Sequence, residues 1–172
     1  MSIADMRRQY SQGHLTDNDL TDHPVDLFKQ WLGAAIDAGI PDPTAMTVAT
    51  VDAEGQPSQR IVLLKDYDHE GFVFYTNYTS RKSGELVATG KAAFVIHWKS
   101  LRRQIRVTGA VEKVPDAQSD AYYQTRSRGS RIGAWASQQS KPLQNRGELA
   151  AAVRKLEETY PDDVPRPTHR GG

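Results

Sequence analysis

Between Ala45 and Glu112 the chain is cut into short apolar runs by turn residues at close intervals, and this spacing limits its folds more than any other feature. Ala45 to Val51 is apolar with interspersed threonines and runs into the turn Asp52-Ala53-Glu54-Gly55. Gln59 to Lys65 and Phe72 to Thr76 flank the turn-rich Asp66-Tyr67-Asp68-His69-Glu70-Gly71 and read as a hairpin. Ala92 to Trp98 is a further strand. Gln104 to Glu112 alternates, with Ile105, Val107 and Val111 on one face and Gln104, Arg106, Thr108 and Glu112 on the other. Five or six strands, mostly hairpin-linked, argue for an antiparallel barrel rather than a parallel sheet.

Helices flank this mainly β region. Pro24 suits a first helical turn, and Leu27, Phe28, Trp31, Leu32, Ala35 and Ile36 follow at helical spacing until Gly39, with Trp31 expected in the core. Thr79 or Ser80 caps a short helix from about Arg81 to Thr89, closed by Gly90. Pro115-Asp116 opens a helix through about Arg126. Gly129-Ser130 breaks it and caps a second, from Arg131 to about Ser137. Leu149, Val153, Leu156 and Tyr160 mark a third, which Pro161 ends. The tail from Pro161 to Gly172 lacks the pattern for regular structure. Residues 1–22 read as an N-terminal arm in which Arg7-Arg8-Gln9-Tyr10 begins a short helix, and residues 23–172 as a single domain.

A chain of 172 residues suffices for one well-packed domain. Its formal net charge of +1 supplies no global field toward nucleic acid or membrane. The absence of cysteine removes disulfides, thiol nucleophiles and Cys-ligated zinc, and fits a cytoplasmic protein. The N-terminus is no secretory signal, and no run approaches the roughly 20 apolar residues of a membrane helix. The five histidines lack metal-ligand spacing, and Asp66, Asp68 and Glu70 suit a hairpin turn better than a calcium loop. There is no P-loop, dinucleotide fingerprint or nucleophile elbow. No residue is assigned as catalytic or metal-binding. That pattern points to binding, or to chemistry carried by a cofactor.

The central stretch is Arg60-Ile61-Val62-Leu63-Leu64-Lys65, four apolar residues expected in a buried strand with a cation at each end. Burying an unpaired cation is costly, so Arg60 and Lys65 should each reach water or an anion. Arg81 and Lys82 stand in a first helical turn, where the macrodipole disfavours cations. Either an anion, most naturally a phosphate, binds there, or both are solvated surface groups. Tyr122, Arg126 and Ser130 lie four apart. They would hold a second phosphate, or they are a surface contact and an ordinary cap.

Five segments, taken in register, resemble pyridoxine/pyridoxamine 5′-phosphate oxidase. They are Asp42-Pro43-Thr44-Ala45-Met46, Gln59 to Lys65, Phe74-Tyr75-Thr76-Asn77, Ser80-Arg81-Lys82 and Ile132 to Ser140, and the likeness runs from about Arg7 to the last residue. The resemblance implies a split antiparallel β-barrel of Greek-key type, a homodimer with FMN in clefts between subunits. By similarity Arg60, Ile61, Val62, Leu63, Leu64, Lys65, Tyr75 and Thr76 would line FMN, with Arg81 and Lys82 on its phosphate and Gln104, Gln139 and Ser140 as further contacts. Lys65, Tyr122, Arg126 and Ser130 would grip the substrate phosphate, and Arg7 and Tyr10 would close over the substrate. The implied reaction is oxidation of pyridoxine or pyridoxamine 5′-phosphate to pyridoxal 5′-phosphate, with dioxygen as acceptor. The protein's work would be positioning, two phosphate anchors holding two flat rings face to face.

The chain departs from the family pattern in two places. Arg170-Gly171-Gly172 stands where the family has Trp-Gly-Gly, whose tryptophan contacts FMN. Family members also continue with an Arg-Leu-His substrate motif and a further FMN-binding arginine. Alternatives to the working oxidase are therefore an FMN-binding split barrel with oxidase activity lost or weakened, and a small barrel binding RNA through Arg60, Lys65, Arg102 and Arg103. The near-neutral net charge counts against the last.

Overall fold

The turn after Val51 sets the register of the first hairpin. The Asp52 carboxylate accepts from the backbone N–H groups of Glu54 and Gln56, at 3.2 and 2.7 Å. Gly55 takes φ 86°, a left-handed conformation that glycine adopts without strain. Strands β1 (Ala45–Val51) and β2 (Pro57–Leu63) leave this turn antiparallel, with Ala45 opposite Leu63 and Val48 opposite Arg60. These positions come from a computed structural model, which describes residues 3–6, 14–143 and 145–172. The expected helix at Arg7–Tyr10 lies outside the described residues. The chain divides into two compact units, Met1–Pro43 with His97–Ile105, and Thr44–Ile96 with Arg106–Gly172.

In the first unit, helix α1 (Pro24–Asp37) buries Val25, Phe28, Leu32 and Ala35 along one face. His23 caps it, its ring Nδ1 accepting from the Val25 N–H. Phe28 stacks on Trp98 with ring centroids 6.2 Å apart, and the Trp98 indole donates to the Pro43 carbonyl. Trp98 is thus the buried tryptophan here. Trp31, expected in the core, is only half-buried, because it packs its ring under the Arg103 guanidinium, 4.9 Å away. The described parts of the arm, Ile3–Asp5 and Asp17–Asp19, form single 3₁₀ turns with no buried residue.

In the second unit, β1 pairs antiparallel with β2 and with β6 (Lys91–Trp98, of which Lys91–Ile96 lie in this unit). Adding β7 (Arg103–Ala110, of which Arg106–Ala110 lie in this unit), the strand order is β2-β1-β6-β7. Met46, Val48 and Thr50 of the central strand β1 are buried, as its alternation requires. The run from Arg60 is not a wholly buried strand. β2 lies at the sheet edge, and its outward residues Ile61 and Leu63 are 65% and 39% exposed. It also ends at Leu63, so Lys65 begins the next hairpin, donating its N–H to the Val73 carbonyl. That hairpin, β3 (Asp66–Tyr67) with β4 (Phe72–Val73), turns on the Asp68 carboxylate, which accepts from Glu70 and Gly71.

β5 (Thr76–Asn77) leads into helix α2 (Arg81–Thr89), closed by Gly90 at φ 64°, as the sequence indicates. Helices α3 (Asp116–Gln124), α4 (Arg128–Ala136) and α5 (Arg146–Thr159) follow. Ser130 is not the cap of α4. Ser127 is, its hydroxyl accepting from the Ser130 N–H, which puts Ser130 inside the first turn. The tail is also more ordered than its composition suggests. Val164 is fully buried, and Arg170–Gly171 form β8, paired antiparallel with β5. Arg166 anchors it to Asp116 and Asp120 at 2.8 and 2.6 Å. These are long-range bonds with no local pattern, so no periodicity announces them. Among the described residues no helix is long and apolar enough to cross a membrane.

Candidate functional site

Arg60 finds its anion inside the protein. Its guanidinium donates to the Thr50 and Ser58 hydroxyls and lies 3.4 Å from Glu85 on α2. Glu85 is nearly fully buried, and it also accepts from Thr50, from Ser58 and from Arg81 Nε at 2.7 Å. Those bonds, led by the one from Thr50 and helped by the Arg81 charge, hold its carboxyl at about 2, against 4.5 ordinarily. One carboxylate thus orients two cations. Sequence reasoning missed it, because Glu85 reads as an ordinary helical glutamate; its spacing of four from Arg81 was the available signal.

Lys82 is different. It is buried, and its ammonium donates to Thr76 Oγ1 at 2.9 Å, Gln139 Oε1 at 3.1 Å and Ser80 Oγ at 3.2 Å. Among the described residues all its partners are neutral oxygens, while Arg60 and Arg170 lie near. Burial first, and those two charges second, push its pKa below the ordinary lysine value. Ser80 stands at the N-cap position of α2 without capping with its side chain, which is given to Lys82 and Ser83. The Arg81 N–H reaches Ser140 Oγ at 3.4 Å, where Ser140 takes φ 66°. Gln139 and Ser140 are therefore brought to the helix start beside Arg81 and Lys82.

A cavity of about 330 Å³ opens over this cluster. Arg60, Ile61, Val62, Leu63, Lys65, Tyr75, Thr76, Lys82 and Gln139 line it, with Tyr122 and Arg170. Leu64 points the other way into the core. A second cavity, about 120 Å³, is lined by Arg126, Arg166, Ser119 and Tyr123. The two share a wall of Tyr75, Thr76, Tyr122 and Arg170. Tyr75 and Tyr122 stack face to face there, centroids 3.7 Å apart and planes within 6°.

Most residues singled out by the sequence meet here. Lys65 and Tyr122 share the larger cavity, Tyr122 and Arg126 the smaller. Ser130 is exposed and lines neither, being held by Ser127 in the first turn of α4. Arg81 is 59% exposed and turned along its helix toward Glu85 and Asp52, so it does not line the larger cavity. Gln104 stands exposed on β7 in the first unit, whereas both cavities belong wholly to the second. Arg7 and Tyr10 lie outside the described residues. Arg170 lines both cavities.

The architecture and the paired cavities define a class of small antiparallel proteins built around a cation-lined cleft, and the comparisons give it a family. The structure of PhzG from Burkholderia lata 383, in complex with tetrahydrophenazine-1-carboxylic acid, superposes with a TM-score of 0.87 at 30% identity over 94% of this chain and 81% of that one. A pyridoxamine 5′-phosphate oxidase-related, FMN-binding protein from Nostoc punctiforme superposes at 0.62 over 83% of this chain and 76% of that one, with 18% identity, and shares the fold. The fold is accordingly a split barrel. The sequence profile of pyridoxamine 5′-phosphate oxidase matches residues 32–160. Pyridoxine/pyridoxamine 5′-phosphate oxidases from Bordetella petrii and Thermosynechococcus vestitus are 49% and 51% identical over 100% and 99% of the chain, each covered for 81% of its own length. The chain belongs to the pyridoxamine 5′-phosphate oxidase family.

Proposed function

We propose that this chain is an FMN-dependent oxidase of pyridoxamine and pyridoxine 5′-phosphates, forming pyridoxal 5′-phosphate with dioxygen as acceptor. The observation that carries the reading is Lys82. A buried ammonium whose partners among the described residues are all neutral oxygens, at a helix start, leaves positive charge uncompensated. A phosphate monoester supplies what is lacking, so the residues present fit the flavin nucleotide. Lys82, the helix start at Arg81 and Ser140 would hold its phosphate, with the 61–64 backbone, Tyr75, Thr76 and Gln139 along its length. FMN, when bound, would supply a two-electron acceptor for the vitamer, with dioxygen as the final acceptor.

The chain's own residues bind and orient. Glu85 fixes Arg60 in the wall of the larger cavity, beside Lys82. Lys65, Tyr122 and Arg126 would take the substrate phosphate, the guanidinium giving a planar fork and the phenol a donor. Ser130, exposed at the α4 start, would add to this grip only through a rearrangement of its bond with Ser127. The exposed Ile61 and Leu63 on the edge strand would be covered by a second copy, which supports a homodimer with FMN at the interface.

The test is anaerobic. The FMN-loaded protein is mixed with pyridoxamine 5′-phosphate and its visible flavin absorption is followed. Bleaching is expected. Flavin that stays oxidised rejects the oxidase and leaves the alternative, an FMN-binding barrel without turnover.

A further inference from the structure

We propose that Arg170 and Arg126 form a two-guanidinium clamp on the substrate's anionic group, making Arg170 a specificity-determining residue that selects phosphorylated over unphosphorylated substrates. The inference rests on the function proposed above. Three arginines reach the smaller cavity, and they are not alike. Arg166 is spent on Asp116 and Asp120. It also donates to the Arg170 carbonyl, and together with the β5–β8 pairing this fixes the backbone from which Arg170 extends. Arg126 and Arg170 have no carboxylate or hydrogen-bond partner for their guanidinium groups among the described residues. The Arg170 Nε is buried and unsatisfied.

Leaving the Nε of a half-buried arginine unsatisfied and its charge without a counter-ion is costly, and a bound anion removes the cost. Burial and the neighbouring Arg126 charge already push Arg170 below its ordinary pKa. The cavity, of about 120 Å³, has room for one tetrahedral oxyanion. The two cavities share the lining residues Tyr75, Thr76, Tyr122 and Arg170, so a ring lying in the larger one has the clamp beside it for its anion. Phosphate chemistry could come from the vitamer or from the flavin, and the assignment here is to the vitamer.

The experiment titrates the FMN-loaded full chain with pyridoxamine 5′-phosphate and with pyridoxamine by calorimetry, for wild type, Arg170→Met and Arg170→Lys. Arg170→Met should weaken the phosphorylated ligand about tenfold or more and leave pyridoxamine unchanged. Arg170→Lys, which keeps charge but not the fork, should fall between. Equal affinity of wild type and Arg170→Met for pyridoxamine 5′-phosphate overturns the clamp, and so does a loss confined to FMN affinity. If Arg170→Met loses its folded circular dichroism, Arg170→Lys decides by the same comparison. If wild type binds no vitamer, the proposed function fails, while inorganic phosphate still tests the clamp. Thermal stabilisation by phosphate that Arg170→Lys reduces supports it, and identical stabilisation overturns it.

Discussion

Lys82→Met separates ligand binding from folding. In the free chain the ammonium makes three hydrogen bonds to neutral oxygens, and its removal frees Thr76 and Ser80 hydroxyls that can turn to other partners. The methionine stem keeps most of the packing and removes a buried cation set near Arg60 and Arg170. These changes oppose one another, so folding stability should move by less than about 1 kcal/mol, or about 2–4 °C in melting temperature. FMN binding has no such compensation. A charge-assisted bond to phosphate is worth about 1.5–3 kcal/mol, so Kd should rise about 10- to 150-fold. The assay is quenching of flavin fluorescence on titration, paired with a thermal melt of the free chain. Unchanged FMN affinity beside a wild type that binds refutes the phosphate assignment. A large loss of melting temperature refutes the claim that the cation is kept for a ligand rather than for the fold. The pH dependence carries the same signature. The folded chain holds Lys82 below the ordinary value of 10.5, so it binds fewer protons there than the unfolded chain. Free-chain stability from this group therefore rises with pH between the depressed and the ordinary value, whereas FMN affinity falls as the ammonium is lost.

Other outcomes follow from the same contacts. Glu85→Ala should destabilise the chain by about 3 kcal/mol in urea unfolding, because it strands Arg60 without its buried carboxylate. The folded Glu85 carboxyl sits at about 2 against 4.5 ordinarily, so its contribution is complete above about 4.5 and lost as pH falls toward 2; Glu85→Gln should flatten that limb of an acid titration. Gly171→Ala should cost about 1–3 kcal/mol, since an added Cβ would lie 2.0 Å from the Tyr78 hydroxyl oxygen; a melt matching wild type would show that the tail is not docked as described. Arg81→Ala should weaken FMN less than Lys82→Met does, measured in the same titration, because the Arg81 side chain is largely exposed and already paired with Glu85.

Much of this protein is written in local pattern. β1 and α2 fall on the residues that alternation and capping indicate, because period-2 burial and a left-handed glycine stop are set by neighbours in the chain. The gathering of Arg60, Lys65, Tyr75, Lys82, Tyr122 and Gln139 was legible only as family resemblance, since these residues lie on separate elements. Three-dimensional packing alone decided that Glu85 rather than a ligand neutralises Arg60, that Ser127 rather than Ser130 caps α4, and that the tail folds back as β8. Each is a choice among partners tens of residues apart or between two serines three residues apart, Ser127 and Ser130, of equal capping ability. Periodicity describes which face a residue turns to the core, but carries nothing about which distant group will be waiting there.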